Sequence, residues 1–156
     1  MNDKEKLITE FYTAFQNRDF KRMQNFYHDG ATFSDAVFIS LNAAQVKAMW
    51  EMLVKAGKDL KLEFKNVSAA QNKGSAEWVA SYTFSRTGRK VINRITAEFE
   101  FKDGKIIAHK DHFDFYTWAK QALGFAGVLL GWTGFIKNRI RKSAKQNLNN
   151  FMLKKA

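Results

Sequence analysis

Val91-Ile92-Asn93-Arg94-Ile95-Thr96-Ala97-Glu98-Phe99-Glu100-Phe101, then Lys102-Asp103-Gly104-Lys105, then Ile106-Ile107-Ala108-His109-Lys110-Asp111-His112-Phe113-Asp114-Phe115-Tyr116-Thr117: two alternating runs around an Asp-Gly turn, which is a hairpin signal. In the first run Ile95, Ala97, Phe99 and Phe101 oppose Arg94, Thr96, Glu98 and Glu100. Loop length decides which face of the second run joins the apolar side, because a one-residue slip exchanges every partner. A two-residue loop pairs Phe101 with Ile106 and Phe99 with Ala108, and turns Lys110 and His112 inward. A three-residue loop with Gly104 left-handed pairs Phe99 with Ile107, Ala97 with His109 and Ile95 with Asp111. It also keeps Phe113 and Phe115 on the inner side, and it is the expected arrangement. His109 and Asp111 then stand among apolar residues, where ionisable groups are costly unless paired or used.

A length of 156 residues suits one domain with a real core. Hydrophobic residues at 46% and aromatic ones at 15% place the chain outside the disordered class. With no Cys, disulfides, thiolate metal sites and cysteine nucleophiles are excluded. The polar, mixed-charge start shows no secretory signal, and a cytoplasmic location is the default expectation. The net charge of +11 is uneven: all fifteen acids precede residue 115, while residues 135–156 carry seven bases and no acid. Basicity confined to a tail argues against a nucleic-acid partner.

Leu7, Ile8, Phe11, Tyr12 and Phe15 recur at helical spacing, predicting a first helix over roughly 3–17 with Asn2 and Glu5 in a capping arrangement. Asp19 is placed to cap a second helix that should run to His28-Asp29-Gly30, with Gly30 left-handed. Residues 31–40 read as one short extended segment in which Phe33, Asp35 and Val37 share a face. A third helix follows from its cap Asn42 to about Ala56, burying Val46, Met49, Trp50 and Leu53. From Asp59 onward every segment alternates, which makes a four-stranded antiparallel meander. Helices followed by strands indicate α+β, with a curved sheet covered by helices on one face.

The segment Gly124–Phe135 is apolar but too short and glycine-rich to span a membrane. Ile136, Ile140, Ala144, Leu148, Phe151 and Met152 then share one helical face, opposite Lys137, Arg139, Arg141, Lys142 and Lys145. A helix packed over the domain, or against a dimer partner, is preferred here to peripheral attachment to anionic lipid. The expected division is 1–120 for the α+β domain and 121–156 for the linker and basic helix.

This order of elements, with Phe11-Tyr12-Thr13-Ala14-Phe15, Tyr27-His28-Asp29-Gly30-Ala31-Thr32-Phe33-Ser34-Asp35 and Phe101-Lys102-Asp103-Gly104-Lys105-Ile106-Ile107 leading to His109 and Asp111, resembles the nuclear-transport-factor-two-like superfamily. The likeness is to its SnoaL-like and ketosteroid-isomerase-like branch. It implies a cone-shaped α+β barrel wrapped around three N-terminal helices, a deep apolar cavity and a homodimer formed through the outer sheet face. It also implies that Asp35 falls where ketosteroid isomerases keep their base, although Ala36 departs from the Pro common there. Phe11 and Ala97 occupy the positions of that enzyme's two oxyanion donors, so steroid isomerisation by that mechanism is not expected.

The functional expectation is cofactor-independent proton transfer, of isomerase, cyclase or dehydratase type, on a small apolar or aromatic substrate. Asp35 would act as base, and His109, oriented by Asp111 or by a water, as the complementary acid or electrophile. Tyr12, Tyr27, Trp50, Trp78, Tyr82, Phe84, Phe99 and Phe113 would line the substrate site. No cofactor is required, and no spacing marks a metal site. The alternative is a non-catalytic binder of a small-molecule or lipid-like ligand.

Overall fold

A computed structural model describes residues 1–156. In chain order the elements are α1 (Asp3–Gln16), α2 (Phe20–Asn25), β1 (Tyr27–Ser34), β2 (Leu41–Asn42), α3 (Ala43–Ala56), β3 (Lys61–Ala70), β4 (Lys73–Phe84), β5 (Arg89–Lys102), β6 (Lys105–His112), α4 (Phe115–Leu123), α5 (Phe125–Leu130) and α6 (Gly134–Lys155). The fold is α+β: one six-stranded sheet in the order β2-β1-β6-β5-β4-β3, curved but unclosed, holds α1 to α3 against its inner face. Every neighbouring pair is antiparallel except β1 with β6.

Local chemistry starts the helices where expected. Asn2 and Glu5 form a capping box, Asn42 and Gln45 form another, and the Asp19 carboxylate accepts from Arg22 N–H. These side chains satisfy amide donors that the first helical turn leaves without partners. The buried face of α1 carries Ile8, Phe11, Tyr12 and Phe15, and that of α3 carries Val46, Met49 and Trp50.

The central hairpin corrects the expected register. Its loop has two residues, since Lys102 faces Lys105, and Asp103 and Gly104 both hold left-handed φ angles of 54° and 72°. That is the geometry whose twist matches the strands it joins. Phe101 then faces Ile106, and a bulge immediately after resets the strand, so that Phe99 faces His109 and Ala97 faces Asp111. Burial explains the bulge: Phe101 and Ile106 are both inside, and one extra residue is needed to keep Lys110 and His112 outside beyond them. The inward parity of His109 and Asp111 is as expected, while their partners across the hairpin are not.

Other expectations fail for identifiable reasons. Helix α2 stops at Asn25, because the chain from Tyr27 pairs in parallel with β6 and the Phe26 carbonyl accepts from Ile106 N–H. His28 therefore lies in β1, its Nδ1 accepting from Gly30 N–H and its Nε2 facing Asp103, and Gly30 is not left-handed. The segment 31–40 contributes the end of β1, a turn, and a separate β2. Leu53 is 37% exposed rather than buried, and Glu51 is buried, held by Lys55 and Lys155. Phe115 does not continue β6, because the Asp114 carboxylate caps α4 by accepting from Tyr116 and Thr117 N–H.

Helix α6 folds back over the domain. Leu148, Ala144 and Met152 pack on the main core, while Ile136 and Ile140 join a second cluster with Val91, Phe115 and Trp118.

Candidate functional site

The parallel ladder between β1 and β6 pairs Phe33 with His109 and Ser34 with Lys110, so the chain leaves β1 with Asp35 alongside Asp111. Two carboxyl groups thus emerge from adjacent strands on the helix-covered side.

His109 lies fully inside, with ring centroids 4.9 Å from Phe33 and 4.3 Å from Phe99. Both of its nitrogens are engaged: Nδ1 lies 2.8 Å from the Tyr27 hydroxyl and Nε2 lies 3.0 Å from Asp111 Oδ1. Trp50 Nε1 donates to the same Tyr27 oxygen at 2.8 Å. Donor counting orders the protons: with Asp111 ionised, His109 Nε2–H donates to it, and Tyr27 O–H donates to Nδ1. The result is a buried line from Trp50 through Tyr27 and His109 to Asp111, in which each bond polarises the next. Burial pushes the Tyr27 hydroxyl well above its ordinary pKa, the Trp50 hydrogen bond opposes this, and the Asp111 charge adds to it.

Asp35 is held differently. It retains partial solvent contact, and only Oδ1 is engaged, accepting from Val37 N–H at 2.7 Å and Phe38 N–H at 2.6 Å. Burial raises its pKa from 3.8 to about 7; the two backbone donors and Arg141 pull it down, and the neighbouring Asp111 pushes it up. Arg141 of α6 is fixed nearby by donating from Nε to the Ala36 carbonyl at 2.9 Å.

The residues expected to line a substrate site divide into two groups. Tyr12, Tyr27, Trp50, Trp78 and Phe99 are buried in the main core, where Tyr12 and Trp78 lie 5.9 Å apart between ring centroids. The Tyr12 hydroxyl and Trp78 Nε1 are buried there without a hydrogen-bond partner. Tyr82, Phe84 and Phe113 are half-buried and sit where the second cluster covers the end of the sheet. The Tyr82 hydroxyl accepts from Trp118 Nε1 at 2.7 Å, and burial, together with the Asp35 charge, raises its pKa against that bond. Trp118 and Arg141 were not among the residues expected at the site. The Asp114 cap was a usable signal for the first; the second rests on a long-range fold-back that no local pattern announces. Two open hollows of about 530 and 550 Å³ lie elsewhere, beside Asn2 and Gly104 and over the outward residues Glu98 and Lys110.

The class of protein follows from this architecture. The family model of the SnoaL-like domain matches residues 8–109, and the chain belongs to that family. Among solved structures, TerC co-crystallised with polyporic acid is similar at 15% identity, covering 77% of this chain and 98% of its own, with a TM-score of 0.66. An LEH-like epoxide hydrolase of M. tuberculosis is similar at 19% identity, over 86% and 95% of the two chains, with a TM-score of 0.61. IdmH of Streptomyces antibioticus, described as a candidate polyketide cyclase, is similar at 17% identity, over 74% and 95%, with a TM-score of 0.62. At these identities the likeness is one of fold. No curated protein matches the chain.

Proposed function

We propose that this SnoaL-like protein catalyses cofactor-independent proton transfer, of isomerase, cyclase or dehydratase type, on a small hydrophobic substrate, with Asp35 as the base. The observation that carries the reading is the state of Asp35: a carboxylate with one oxygen tied to backbone amides, a pKa raised to about 7, and partial solvent contact beside a second acid. A base poised near neutrality serves proton abstraction best. His109 reaches the reaction through Asp111 as a positioning residue, since both of its nitrogens are already taken. Tyr82 offers its hydroxyl proton near Asp35, and Phe84 and Phe113 supply apolar walls. Similar structures named as an epoxide hydrolase and a candidate polyketide cyclase support a catalytic role. The deep cavity, a homodimer through the outer sheet face and a cytoplasmic location belong to the same proposal.

The second reading, a binder without chemistry, draws on the complete internal satisfaction of His109. A panel of small epoxides and aromatic polyketide analogues separates the two, screened first by thermal shift and then for turnover. Catalysis predicts that Asp35→Asn lowers turnover at least 100-fold with ligand-induced shifts retained. Binding without turnover, lost in Phe84→Ala and unchanged in Asp35→Asn, would leave only the binder.

A further inference from the structure

Helix α5 is turned inside out. Gly127 of α5 and Gly131 just after it face the protein: a Cβ at Gly127 would lie 2.0 Å from the Ala119 carbonyl oxygen, and one at Gly131 would lie 2.9 Å from Ala119 Cβ. The large residues of α5, of the turn after it and of the start of α6 face out. Phe125 is 78% exposed, Trp132 74% and Phe135 67%, with Val128, Leu129 and Leu130 each about half exposed. A contiguous apolar face of this kind on a folded chain marks an interaction surface.

The charge around it says what kind. From Phe115 to the last residue there are eight bases and no acid. Arg89 packs against Gly124 at the start of α5, Lys120 lies over the Tyr116 ring at 4.7 Å, and Arg139 and Lys142 follow Phe135 at the i+4 and i+7 positions of α6. Unlike Arg141, which is tied to Ala36, Arg139 and Lys142 are exposed. A second copy of this chain seated on the face would bring these cations against their own symmetry mates, which disfavours self-association. An apolar ridge bordered by cations fits the boundary between acyl chains and anionic headgroups, with Trp132 suited to that depth. No helix of the chain is long and apolar enough to cross a membrane, so contact would be confined to the surface.

We propose that the face formed by α5 and the start of α6 docks the protein onto an anionic lipid surface. Such docking is independent of the chemistry assigned to Asp35. Docking would also set the end of the sheet covered by Ile136 and Ile140 close to the bilayer, because α6 carries both.

Trp132 provides the probe, since Trp50, Trp78 and Trp118 are buried. The 156-residue chain, titrated with phosphatidylcholine vesicles containing 30% phosphatidylserine at low salt, is expected to co-sediment and shift its tryptophan emission to the blue. Raising the salt to about 0.5 M should weaken this several-fold, because surface electrostatics are screened. The double variant Leu129→Ser and Trp132→Ser should lose at least tenfold in partitioning. The double variant Arg139→Gln and Lys142→Gln should lose about fivefold per cation removed. All four side chains are exposed, so matching far-UV circular dichroism and melting temperature identify intact folds. Absence of co-sedimentation, or equal binding to pure phosphatidylcholine, overturns the proposal. So does a concentration-dependent dimer that Leu129→Ser dissolves in a chain that ignores vesicles.

Discussion

His109 and Asp35 are both ionisable side chains on, or just past the end of, neighbouring strands of one sheet, and the fold treats them in opposite ways. His109 is walled in, both nitrogens engaged, the centre of a line that begins at Trp50 and ends at Asp111. Asp35 sits one strand over, with one oxygen satisfied and a pKa lifted to about 7. The first arrangement spends its hydrogen-bonding capacity on the protein; the second holds some in reserve. Burial alone therefore does not mark a reactive group. What distinguishes the two is whether a lone pair or proton remains uncommitted where a ligand can reach it.

Loss of the inner line should have the largest effect. His109→Ala leaves the Tyr27 hydroxyl without its acceptor, the Asp111 carboxylate without its donor, and a void between Phe33 and Phe99. Removing one partner from a buried charged network costs about 3–5 kcal/mol. Urea unfolding of His109→Ala and of Asp111→Ala should both show losses of that size, and the double variant should lose much less than their sum, because the two act as one unit. A cost below about 1 kcal/mol for either would mean that the pair is not held as described.

Asp35 should behave in the reverse sense. Below about pH 4 its carboxyl is protonated in folded and unfolded chains alike. As the pH rises the unfolded chain ionises first, near 3.8, while the folded group holds its proton to about 7. The stability present below pH 4 is therefore lost as the pH climbs to about 7, and the loss is then constant. Its size is roughly 2–4 kcal/mol, the lower end allowing for the solvent contact of the group. Asp35→Asn keeps an oxygen for the Val37 and Phe38 amides and cannot ionise. Urea midpoints should then coincide with wild type near pH 4 and exceed it at pH 8. Parallel pH profiles for the two proteins would show that Asp35 ionises as it does in water.

How these two positions could be read from sequence differs as much as their chemistry. The inward parity of His109 was visible in the alternation of β6, but its route was not. A tight Asp103-Gly104 turn followed by a bulge at Ile107 gives the same inward faces as the expected longer loop, and alternation alone does not separate the two. Asp35 was legible as a carboxylate between apolar neighbours. Its place beside Asp111 depends on a parallel pairing of β1 with β6, and His28 and Gly30 hid that pairing by resembling the end of a helix. The caps Asn2, Asp19 and Asn42 were readable because their partners lie within three residues. Arg141 was not, because its contact with Ala36 depends on how α6 folds back across the whole domain.

The smallest effect tests the boundary between the two regions. Trp118 belongs to α4, outside the inner line, yet its indole N–H donates to Tyr82, whose hydroxyl feels the Asp35 charge. Trp118→Phe removes that donor while keeping an aromatic ring against Phe84 and Phe115. Losing one hydrogen bond of this kind costs about 1 kcal/mol. Because the bond lowers the pKa of Tyr82 against the pull of burial, its removal should also move that tyrosine's ultraviolet titration further upward. If both the stability and the titration stay at wild-type values, Tyr82 is not coupled to α4. The half-buried end of the sheet would then be organised by apolar packing alone, and Asp35 would face it without a positioned hydroxyl.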